Sequence, residues 1–97
     1  MYYLVLGAEV DEDGDIAIFY KQFSSEQELT KKELINLTEV AVAKDIAEER
    51  GIHEVEPESK NWEDNEYIGF MKSRCAIELQ IDRFFESTSP INLQEVE

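Results

Sequence analysis

Positive charge is scarce in this sequence. Nine Lys and Arg stand against 23 Asp and Glu, leaving a formal net charge of −14 on 97 residues, where a small soluble domain typically carries a magnitude of about 2–8. The deficit narrows the class of partner. Nucleic acid and anionic membrane repel such a surface, whereas a basic protein surface or a divalent cation is drawn to it. Cysteine is nearly absent as well: Cys75 alone allows no internal disulfide and fits a reducing compartment. No apolar run approaches the roughly 20 residues that span a bilayer. Met1-Tyr2-Tyr3-Leu4 opens without the basic segment, longer apolar run and small-residue cleavage site of a secretory signal, so the expected location is the cytoplasm.

Catalytic motifs are missing too. The sequence holds no P-loop, G-x-G-x-x-G, H-E-x-x-H or C-x-x-C, and its one histidine, His53, has no spacing that ties it to Cys75. A cysteine in a segment that reads as packed acts as a small hydrophobe. Carboxylates clustered in polar segments lack the burial that shifts pKa values toward acid–base work. The expectation is a protein without enzymatic activity, cofactor or metal.

What is present suffices for one small core: 42% hydrophobic residues with ten aromatics, unlike an acidic disordered tail. Nine isoleucines, five phenylalanines and six lysines also argue against a halophilic origin for the acidity. Tyr2 to Val10 and Ile16 to Phe23 are rich in β-branched and aromatic residues, and Asp13-Gly14 between them signals a hairpin. A two-residue turn puts Leu4, Leu6, Ala8 and Val10 on one face with Ala17, Phe19 and Phe23. A three-residue loop with left-handed Gly14 instead pairs Val10 with Ile16 and Ala8 with Ile18.

A helix follows with two candidate starts, Ser25 with Glu28 and Thr30 with Glu33, and a stop at Arg50-Gly51. Its apolar face comprises Leu34, Leu37, Val40, Ala41 and Ala47, widened by Ile35, Val42 and Ile46. Ile52 to Glu56 is expected as a short third strand, and Glu58 to Asn65 as a loop. From Glu66 to Phe85, the recurrence of Tyr67, Phe70, Met71, Ile77, Ile81 and Phe84 predicts a helix. The competing pattern is the alternation of Cys75, Ile77, Leu79 and Ile81 with Ala76, Glu78, Gln80 and Asp82. The predicted class is α+β, in the order ββαβα: a small antiparallel sheet, built from the hairpin and the short third strand, covered on one face by two helices. Residues 1–86 form one domain, and 87–97 a loosely held tail.

The acids cluster. Glu9, Asp11, Glu12, Asp13 and Asp15 carry −5 at the hairpin tip. Glu48, Glu49, Glu54, Glu56, Glu58, Glu63, Asp64 and Glu66, against Arg50 and Lys60, carry −6. Glu48 and Glu49 stand in the last turn of a helix, where the macrodipole disfavours each by about 0.3–1 kcal/mol. Acids placed against local preference suggest a use elsewhere. One use is imitation of a phosphate backbone: alternate residues of a strand lie about 6.6 Å apart on one face, so Glu9, Asp11 and Asp13, or Glu54, Glu56 and Glu58, are expected to present a carboxylate row. A protein with Lys and Arg arranged for nucleic acid would accept that row. Small acidic inhibitors encoded by phages and mobile elements work this way, and the likeness here is one of composition without a shared motif. The expected function is therefore a nucleic-acid-mimicking inhibitor that binds a basic protein surface and neither nucleic acid nor membrane. The alternative is an acidic structural or adaptor subunit. Trp62, the only tryptophan, stands among these acids as an interface anchor or as cover for the core edge. A third possibility is weak calcium binding: Glu9, Asp11, Asp13 and Gly14 match the opening positions of an EF-hand loop, but Tyr20 stands where its last acid belongs.

Overall fold

The expected hairpin forms from β1 (Tyr2–Val10) and β2 (Ile16–Ser24). In the computed structural model, which describes residues 1–90, Val10 pairs with Ile16 and Ala8 with Ile18. This is the register of the three-residue loop, and the loop's own bonds select it. Gly14 takes a φ of 82°, a conformation that costs an L side chain about 1–2 kcal/mol. The Gly14 N–H donates to the Asp11 carbonyl at 3.0 Å, and the Asp11 N–H to the Asp15 carbonyl at 3.1 Å. Asp11 Oδ1 accepts the N–H groups of Asp13 and Asp15, each at 2.9 Å.

Helix α1 (Lys31–Glu49) begins at the second candidate cap. Thr30 Oγ1 accepts the Glu33 N–H, and the Glu33 carboxylate accepts the Thr30 N–H, both at 3.1 Å. Ser25 caps only a turn, accepting the Gln27 N–H at 3.1 Å. Leu34, Thr38, Val42 and Ile46 form the buried stripe, with Val40, Ala43 and Ala47 beside it. Leu37, expected inside, is exposed, and Thr38 occupies the buried position. Its hydroxyl donates to the Leu34 carbonyl at 2.7 Å, so no polar group is left unsatisfied by the burial.

Beyond Gly51 two elements differ from expectation. Ile52–Val55 is a helical turn, α2, and not a strand; Ile52 is buried in the core and a 3₁₀ turn follows over Pro57–Asn61. The segment from Glu66 to Phe85 divides between the two patterns. Its first part is helical: α3 (Asp64–Gly69) continues into a π-helical turn over Phe70–Arg74, with the Cys75 N–H on the Phe70 carbonyl at 3.1 Å. Ala76 then adopts φ 53°, and Glu78–Ser87 is strand β3. The sheet's third strand is thus β3, paired antiparallel to the other side of β1 in the order β2-β1-β3, with a bulge between Leu6 and Gly7.

The α+β class holds, with α1 and α3 on one face of a small antiparallel sheet. Tyr3 and Val5 meet Leu34 at one end of the core, flanked by Phe23, Ile81 and Phe84. At the other end Val42, Ile46 and Ile52 pack with Tyr67, Phe70, Met71 and Ile77, flanked by Phe19 and Leu79. Ser87, where the tail was expected to begin, still pairs with Tyr2; the part of that tail from residue 91 lies outside the described residues. No helix among the described residues is long and apolar enough to cross a membrane.

Candidate protein-interaction surfaces

The first acidic segment meets the start of the second at one end of the sheet. Lys21 of β2 pairs with Asp45 of α1, which ties the C-terminal turns of α1 to the hairpin. Glu9, half-buried near the end of β1, has its carboxyl pushed above the ordinary value of 4.5. Burial is the main cause, and the charges of Glu49 and Asp45 add to it against the opposing effect of Lys21. Glu9, Asp45 and Glu49 therefore share one neighbourhood, beside the exposed tip acids Glu12, Asp13 and Asp15. Glu48 is exposed next to Glu49. Asp11 and Glu12 also line a shallow hollow with Lys72 and Glu78.

The remaining acids are placed differently. Glu54, Glu56 and Glu58 form no extended carboxylate row, because the chain there is helical and then 3₁₀. Glu54 and Glu58 are exposed, while Glu56 holds Arg74 through two parallel hydrogen bonds of 2.8 and 2.9 Å. Those bonds are the main reason its carboxyl is held below the ordinary range. Asp64 lies 3.3 Å from Lys44, and Glu66 accepts the Glu63 N–H at 3.4 Å at the start of α3. Trp62 packs edge-on to Tyr67 and tilted against Phe70, each at 5.5 Å between ring centres, and covers the edge of the core. Among the described residues no three or more His, Cys, Asp or Glu side chains converge as metal ligands, and one oxygen of Asp11 is already engaged by backbone N–H groups.

His53 belongs to a constellation that sequence reasoning missed. Its Nδ1 lies 2.6 Å from Ser59 Oγ and its Nε2 lies 3.3 Å from Tyr67 Oη. The chain of bonds joins α2, the 3₁₀ turn and α3. A serine beside a histidine is the composition of a nucleophile and its base, but Ser59 is fully buried and its hydroxyl offers a substrate no approach. The arrangement acts as a polar tie inside the helical layer.

A second missed feature is the face of the sheet opposite the helices. Antiparallel sheets with one open side usually turn polar residues outward. Here the register places Leu4, Leu6, Ala8 and Val10 of β1 on that side with Ile16, Ile18 and Tyr20 of β2 and Phe85 of β3. Ile16, Ile18, Tyr20 and Phe85 are 65%, 88%, 58% and 44% exposed. The sequence did hold a signal, since β1 is apolar at both parities, as in strands covered on both faces. No family model, curated protein or solved structure matches this chain at a significant level.

Proposed function

We propose that this protein is a small acidic binder without chemistry of its own, which occupies the basic, nucleic-acid-binding surface of a cytoplasmic partner protein and so acts as an inhibitor. The observation that carries the reading is the approach of Glu49 and Asp45 of α1, tied to β2 through Lys21, to Glu9 at the hairpin end of β1, where burial first and then the charges of Glu49 and Asp45 raise the Glu9 pKa. Like charges brought together weaken the fold and favour an oppositely charged surface. The binding end comprises the tip and the end of α1. Glu54 and Glu58 extend it as exposed charges, whereas Glu56 is already paired with Arg74.

The test is an affinity capture from the native cell with mass spectrometry of the retained proteins, followed by competition with nucleic acid. Retention of nucleic-acid-binding proteins, released by DNA or RNA and weakened steeply by salt, is expected. Glu12→Gln with Asp13→Asn, which touches no internal bond made by those side chains, slows association. Simultaneous full-affinity binding of partner and nucleic acid would sink the mimicry. A second reading, an adaptor subunit of a larger assembly, is favoured by one observation, the open apolar face of the sheet.

A further inference from the structure

We infer that the open face of the sheet is a self-association surface, on which a second copy of this chain packs face to face about a two-fold axis through the middle of β1. Area supports it first. Taking about 200 Å² for a large apolar side chain, the exposed parts of Ile16, Ile18, Tyr20 and Phe85 offer on the order of 500 Å², at the upper end of the roughly 300–600 Å² seen for the largest apolar patch on a monomer. Leu6, Ala8 and Val10 of β1, half-buried between them, add to that area, while Leu4 is already buried. The apolar total lies below the roughly 800 Å² per partner of a standard interface, so the dimer is a weak one. Two such sheets pack with their apolar side chains interleaved about 10 Å apart.

Charge identifies the occupant. In a chain of net charge −14, the open sides of β1 and β2 carry no charged residue, and β3 adds only Glu78, Asp82 and Arg83, a net −1. A basic partner finds nothing here to read and is drawn to the acidic end instead. A second copy, repelled by the net negative charge of the rest of the molecule, meets little repulsion on this face. An isologous contact also requires one patch to complement itself, as a nearly neutral apolar sheet does.

The repulsion between the remaining charges gives the dimer a salt response opposite to that of the acidic end. Screening shortens the reach of like charges from about 10 Å at 0.1 M to about 3 Å at 1 M salt, so dimerisation strengthens as salt rises.

Sedimentation equilibrium of the purified chain between 0.05 and 1 M sodium chloride tests this. The expected mass at about 100 μM protein and high salt is twice 11.3 kDa, with a dissociation constant that falls at least 10-fold across the range. Ile18→Glu removes almost nothing from the monomer's own packing, because the side chain is 88% exposed, yet it buries a carboxylate twice in the symmetric dimer. It is expected to weaken association at least 100-fold, while Val55→Glu, an equally apolar-to-acid change on α2, leaves it unchanged. In the wild type, dilution is expected to shift the methyl signals of Ile16 and Ile18 and not that of Val55, a readout that needs no variant to fold. A monomer at every salt concentration, an Ile18→Glu protein that dimerises as the wild type does, or dilution shifts confined to residues off this face would each overturn the inference.

Discussion

Gly7 lies where the sheet is tightest, and adding one methyl group there measures how tight. A Cβ built on Gly7 falls 2.6 Å from the Gln80 carbonyl oxygen, 2.9 Å from Phe19 Cζ and 3.2 Å from Ile81 Cα. The Phe19 ring can swing aside. The Gln80 oxygen cannot, because it belongs to the β3 backbone at the bulge that pairs with β1. Gly7→Ala therefore forces the two strands apart by several tenths of an ångström. Overpacking of this kind costs about 1–3 kcal/mol, while the reduced freedom of the unfolded chain returns about 0.4–1 kcal/mol. Taking the middle of each range, the net loss is about 1.3 kcal/mol, which lowers the Tm of a domain this size by about 5–10 °C. Gly69→Ala is the matched control: Gly69 has helical angles, φ −60° and ψ −42°, with nothing within 4 Å of the added methyl, so the same substitution stabilises by about 0.4–1 kcal/mol. Thermal unfolding followed by far-UV circular dichroism reads both. A Gly7→Ala protein that melts at or above the wild-type temperature would refute the close approach of β1 and β3.

Ser59→Ala leaves His53 Nδ1 without its partner in the helical layer and is expected to cost about 1–3 kcal/mol in urea unfolding; a neutral Ser59→Ala would remove the polar tie as a stabilising feature. Glu9→Gln is expected to raise the Tm at pH 7. A carboxyl whose pKa is raised in the folded state binds its proton more tightly there than when unfolded, so its ionisation lowers stability as pH rises through the folded value. The advantage of Gln is therefore full above that value and vanishes below the ordinary 4.5; an advantage that persists unchanged at pH 3.5 would mean the gain is not electrostatic.

Legibility in the sequence followed how local the deciding interaction is. The hairpin and the stop at Gly51 rest on bonds between residues a few positions apart and were readable; the helix start was readable only as a choice between Ser25 and Thr30, settled by the Thr30–Glu33 bonds, and the register needed the Asp11 bonds to choose between two loops. The exchange of Leu37 for Thr38 was not readable, because a hydroxyl that bonds the preceding turn loses the polarity that would keep it outside. The segment from Glu66 to Phe85 concealed its break at Ala76, a residue with no special tolerance for the left-handed conformation it adopts. Both periodicities were real, the helical one up to Phe70 and Met71 and the alternating one from Ile77. Ile52–Val55 took helical form with His53 bonded to Ser59 and Tyr67, contacts that span the 3₁₀ turn and α3. In the acidic segments composition located the charge but not its use: Glu56 resembles its neighbours in sequence and differs from them by its bond to Arg74.

The two proposed surfaces would impose opposite demands on the same chain, and this gives the charge distribution a physical logic. Charge that draws a basic partner also drives copies of the chain apart, so self-association has to rely on a face from which charge is excluded. The even positions of β1 meet that condition along their whole length, while the odd positions pass from Tyr3 and Val5 in the core to Glu9 at the acidic end. One strand thus contributes to both surfaces from its two sides. If both operate, a symmetric pair presents two acidic ends to a partner, and tethering a second binding event in this way raises overall avidity by about 10²–10⁴ when the partner's sites can be spanned. Ile18→Glu then separates the contributions, since it leaves the acidic end intact: capture by a monovalent partner surface should persist, while capture that depends on bivalency should fall with the dimer.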